Sequence, residues 1–150
     1  MGCHPLLRAD QTHQGGEPST SSAWLAVAYQ VARETGSAVI GAAQPPTPGR
    51  NHYRLHLRPA DGPPIRLLLH APARLVAAAD DTDPDTLTAP FIPVPRPDLF
   101  RLAGLRTADP AELEQPLTED LVRTWFTADR RDIEYHRPPR VGDVIFNWFD

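Results

Sequence analysis

Two short segments that alternate apolar and polar side chains, joined by Pro59-Ala60-Asp61-Gly62-Pro63, constrain this chain more than any other feature. In residues 51–58, Tyr53, Leu55 and Leu57 point one way, and His52, Arg54, His56 and Arg58 point the other, because side chains on a strand alternate with a period of two. Residues 64–70 repeat the pattern with Ile65, Leu67 and Leu69, although Leu68 breaks it. A three-residue loop, Ala60-Asp61-Gly62, with glycine at the left-handed position, is a common hairpin connection. It sets Tyr53 opposite Leu69, Leu55 opposite Leu67 and Leu57 opposite Ile65. A two-residue Asp-Gly turn would pair apolar with polar residues, since a slip of one turns the whole strand over. The three-residue register is the expected one.

That register has a chemical consequence. His52 faces His70, and His56 faces Arg66, on the polar side of the ribbon. His52 and His56 lie four residues apart, about 13 Å along a regular strand, so they cannot share one metal. His52 and His70 would have Cβ atoms about 5 Å apart. They are the candidate catalytic pair for proton transfer, and no third metal ligand accompanies them unless His136 lies beside the same face. Arg54, His56, Arg58 and Arg66 are the candidate binding residues, because planar guanidinium forks suit carboxylates and phosphates. The bland reading of this face is a set of solvated histidines and arginines on an open sheet.

The flanking chain reads as follows. Residues 1–19 are polar, without apolar period, and are expected to be a disordered leader. Residues 20–150 are expected to form one domain. Residues 22–35 carry a helical stripe of Trp24, Ala28, Val31 and Ala32, with a serine cap and Gly36 as the stop. A short strand over 37–43 follows. Residues 72–81 fit a third ribbon strand better than a helix. A short helix is expected over 98–105, and Asp109 followed by Pro110 caps another. Thr118 opens a helix over 118–128 with Leu121, Val122, Trp125 and Phe126 on one side. Residues 141–149 are almost continuously apolar, which reads as a strand buried on both faces. The fold class is α+β: an N-terminal helix on a mostly antiparallel sheet, with a central 51–70 hairpin, a 118–128 helix and a buried C-terminal strand.

Composition removes several functions. All fifteen basic residues are arginine, which excludes a P-loop lysine, a Schiff-base lysine and a kinase-type lysine. Cys3 is the only cysteine, so no internal disulfide or cysteine-rich zinc site can form. No serine lies in a GxSxG motif, and GxGxxG and HExxH are absent. The Asp81–Asp85 run imitates a calcium loop but has Thr86 and Ile92 where glycine and glutamate are required. No cofactor is expected. The Ala, Pro and Arg bias suggests a GC-rich bacterial genome, and nothing resembling a secretory signal or membrane span points away from the cytoplasm.

Charge is segregated: residues 50–74 sum to +4 and residues 80–120 to −7, within a chain of net charge −4. This favours a protein partner or small anion, and disfavours nucleic acid because no aromatic platform accompanies the arginines. The leading expectation is a non-enzymatic interaction protein, immunity- or antitoxin-like or a pathway accessory factor, engaging an acidic surface through the His/Arg face. The alternative is a small metabolic enzyme on an anionic substrate, with His52 and His70 moving protons. Asp143 reads either as a turn residue or as a polar group entering an apolar layer, and Trp148 as core or as an interface anchor.

Overall fold

The computed structural model describes residues 17–83, 85–86, 89–116, 118 and 140–146. Residues 119–128 of the expected 118–128 helix, Trp148 and His136 lie outside these residues, as does most of the 1–19 leader.

Helix α1 spans Glu17–Thr35. It is already helical five residues before the expected start, so residues 17–19 are not part of a disordered leader. Pro18 is tolerated in a first turn because its missing N–H has no intrahelical acceptor there. Ser21 does not cap the helix: its hydroxyl donates back to the Pro18 carbonyl. Trp24, Val27, Ala28, Val31 and Ala32 are buried along one stripe, and Gly36 ends the helix at φ 67°.

The sheet follows: β1 (Ala38–Gln44), β2 (Tyr53–Arg58), β3 (Ile65–His70), β4 (Leu75–Asp80), β5 (Phe91–Ile92) and β6 (Arg106–Thr107). Strands β1 to β5 pair antiparallel in sequence order, and β6 runs parallel to β4. The hairpin register is the expected one: Tyr53 pairs with Leu69, Leu55 with Leu67, His56 with Arg66 and Leu57 with Ile65. Gly62 sits in the loop at φ 116°. Residues 75–80 are indeed a strand. Three small helices complete the described chain: α2 (Pro97–Leu102), α3 (Pro110–Leu113) and α4 (Val141–Ile145). Asp109 caps α3 by accepting from the Ala111 N–H.

The sheet is covered on both faces. Leu55, Leu57, Leu67, Leu69, Val76 and Ala78 pack against α1 and α2. On the other face, Leu68, Ala77 and Ala79 pack with Phe91, Leu113, Val141, Val144, Ile145 and Phe146. Two corrections follow. Residues 141–145 are buried as expected, but as a helix rather than a strand. A helix satisfies its own backbone bonds, whereas a strand would need a sheet edge to pair with. The second correction concerns the polar side of the ribbon. It is wet only in part: His52 and Arg66 are buried under the cluster that holds α3 and α4, while Arg54 and His56 are half-buried and Arg58 is exposed.

Candidate functional site

The polar side chains of β2 and β3 lie at the margin of this second cluster, and their fates diverge along the strand. His52 is fully buried. Its Nδ1 pairs with Asn51 Oδ1 at 3.1 Å, and its Nε2 accepts from Arg54 Nε at 3.1 Å. Asn51 donates from its amide to the Ile145 carbonyl at 3.0 Å, so the site is tied to the end of α4. His70 lies across the same face. Its Nδ1 accepts from the Ala73 N–H at 3.3 Å. The Phe146 ring meets both imidazoles edge-on, with centroids 5.6 Å from His52 and 6.4 Å from His70. Burial, then the charges of Arg54 and Arg50, push the His52 pKa well below its ordinary value. Burial above all lowers His70 to about 4. Both rings are neutral at physiological pH.

Two ion-pair groups flank the histidines. Asp81, just past β4 and buried, accepts from Arg66 Nε at 3.0 Å and from His56 Nδ1 at 2.6 Å. Arg140 donates to Asp143 through Nε and Nη2 at 3.0 and 2.7 Å, and to Glu114 through Nη1 at 3.0 Å. Burial opposes the charge on Arg140, but the bonds to Asp143 and Glu114 outweigh it and raise its pKa. Asp143 also accepts from the Arg140 N–H, which caps the first turn of α4. The polar residue that looked out of place in an apolar run is therefore the anchor of α4.

Arg54 stands apart. It is half-buried, yet among the described residues its only side-chain hydrogen bond goes to His52 and it pairs with no carboxylate. Burial first, then the nearby Arg66 and Arg50, lower its pKa to about 10, so it stays charged at neutral pH. Arg58 is exposed at the end of β2. A narrow cleft opens beside Arg54, with His52, Arg66 and Arg140 on its polar side and Leu68 and Phe91 on its apolar side. Its interior offers only about 10 Å³ to a water-sized molecule, room for roughly one water and far below the roughly 300–1,000 Å³ usual for small-molecule sites. A wider depression of about 310 Å³ lies between α2 and α3, bordered by Pro93, Pro97, Arg101 and Pro110. It contains no histidine, and its arginine is bound to Thr107.

The structure thus brings the expected candidates His52, His70, Arg54, His56 and Arg66 onto one face, with Arg58 at its outer end. Asp81, Glu114, Arg140 and Phe146 were missed as parts of the site. Leu68 carried a signal for them: an apolar residue on the polar side of a strand implies something packed there. Among the described residues no group of three His, Cys, Asp or Glu side chains could hold a metal ion, and no helix is long and apolar enough to cross a membrane. No protein family, curated protein or solved structure matches this chain.

Proposed function

We propose that this protein is a non-catalytic interaction factor that takes a carboxylate of an acidic protein partner on Arg54, with Arg58 on the same strand face and Arg50 nearby. The observation that carries this reading is the state of Arg54: a half-buried guanidinium with no carboxylate partner among the described residues, beside Arg66 and Arg140, which are both paired with carboxylates. A desolvated cation of this kind gains more from a carboxylate than an exposed one does. The +4 excess of residues 50–74 adds attraction at longer range. In this reading it works in the bacterial cytoplasm, as an immunity- or antitoxin-like protein or a pathway accessory factor. Arg66 contributes through Asp81 rather than by touching the partner.

A small enzyme moving protons with His52 and His70 has less support. Both ring nitrogens of His52 are engaged, Nδ1 of His70 is occupied, and the cleft that reaches His52 is too narrow for most metabolites. The test is calorimetric titration with a glutamate-rich peptide at low salt. Arg54→Gln is expected to weaken binding by about tenfold or more, Arg58→Gln by less, and Arg101→Gln on the far side not at all. Thermal melts of each variant separate lost binding from lost folding. Equal affinity for wild type and Arg54→Gln would remove this reading.

A further inference from the structure

His56 lies in the middle of β2, between Ile40 of β1 and Arg66 of β3. Its Nδ1 is 2.6 Å from Asp81 Oδ2. A carboxylate at that distance accepts, so Nδ1 carries the hydrogen, and in the neutral ring Nε2 keeps its lone pair. Asp81 is itself fixed twice: Arg66 holds Oδ1 through Nε and Nη2 at 3.0 and 2.9 Å, and its backbone N–H donates to the Pro64 carbonyl. The carboxylate lies beneath, with its side chain 7% exposed, and the imidazole reaches the surface at 21%. Nε2 meets no partner among the described residues. His52, four residues away on the same face, has both nitrogens engaged, as a purely structural histidine would.

The surroundings narrow the chemistry. Arg54 and Arg58 stand two residues either side of His56, each about 7 Å along the strand, and neither pairs with a carboxylate among the described residues. Cations on both sides of a nucleophilic nitrogen select an electrophile that carries negative charge. Among the described residues no serine or cysteine belongs to strands β1 to β4, so the ring itself serves as the attacking group.

We propose that His56 is a phosphoryl-acceptor site, with Nε2 as the nucleophile, Asp81 as the residue that orients the ring, and an N-phosphoryl compound as donor. The Nε2 lone pair forms the new N–P bond. The donor's P–N bond breaks, and its electron pair leaves on the donor nitrogen, which already carries its proton and departs as a neutral amine. The ring becomes an N-phosphoryl imidazolium whose Nδ1–H stays on Asp81, so its positive charge is met by a carboxylate. Arg58, exposed at the end of β2, is the cation open to the incoming phosphoryl oxygens, while Arg54, bound to His52, adds positive charge from the other side. This inference goes beyond the partner-binding reading and does not depend on it.

The full chain is incubated with the phosphoramidate ion at neutral pH and mapped by mass spectrometry under mildly alkaline conditions. The expected result is one phosphoryl group per chain, on His56, formed faster than on the chain's own His4 and His13, and lost in His56→Gln. Asp81→Asn is expected to slow the labelling of His56 by about tenfold or more. Labelling of His56 no faster than His4 and His13, or at an unchanged rate in a folded Asp81→Asn variant, overturns the proposal. Should Asp81→Asn not fold, nitrogen-15 NMR of the wild-type imidazole decides. A neutral ring protonated on Nδ1 supports the site, and one protonated on Nε2 overturns it.

Discussion

Three histidines of one sheet face have two different fates, and the difference comes from what covers each ring. His52 and His70 meet the edge of Phe146, whereas His56 lies at the margin and keeps contact with water. Burial holds His70 at about 4 and His52 well below its ordinary value. In the unfolded chain both titrate near ~6.5. The unfolded state therefore binds protons that the folded state refuses, and stability rises with pH over that interval. The contribution is complete above about pH 6.5 and is lost progressively as the pH drops towards about 4, on the order of 1–3 kcal/mol for His70. Urea denaturation at about pH 7.5 and about pH 4.5 measures the loss. His70→Asn retains an acceptor for the Ala73 N–H and should flatten the decline. An unaltered decline in that variant would assign the acid sensitivity elsewhere.

At the scale of elements, the hairpin was legible and the cover over it was not. Leu55, Leu57, Leu67 and Leu69 alternate strictly, and only one register buries all four on one side. The short helices at Pro97 and Pro110 were equally legible, because proline in a first turn and Asp109 before it are local signals. The last segment was misread, since a short apolar run has the same periodicity as a buried strand or a buried helix turn. Arg140 and Asp143 decide for the helix, by capping it and by binding Glu114. Gly142 shows how closely α4 is seated: a Cβ there would collide with the Phe91 ring and press on the Leu113 carbonyl. Gly142→Ala should therefore destabilise the fold by about 1–3 kcal/mol through overpacking, although alanine is the better helix former. A denaturation midpoint equal to or above the wild-type value would show that α4 is not packed against β5 in this way.

Over the whole molecule, protection is graded from the centre of the sheet outwards. β3 and β4 are buried on both faces, while β1 is an edge strand with most of its residues exposed and a break in register between Ile40 and Gln44. Such a break discourages pairing with another chain. Hydrogen exchange should be slowest at β3 and β4 and fast across β1, because local opening there breaks few buried contacts. Equal protection of β1 and β4 would mean that something covers the β1 edge. The segregated charge has a similar whole-molecule logic. Arg66 and Arg140 are neutralised by Asp81, Glu114 and Asp143 from the acidic part of the chain and beyond it, whereas Arg54, like Arg50, is half-buried with no carboxylate among the described residues.

The alternation of residues 51–70 by itself determined which strands pair, in which register and which side chains share a face, because each of these follows from a period of two and one loop length. Only the tertiary structure decided which of those side chains meets water. Leu113, Val144 and Phe146 come to the hairpin from far along the chain, and a strand's periodicity records the polarity of its own residues, not what will be laid over them.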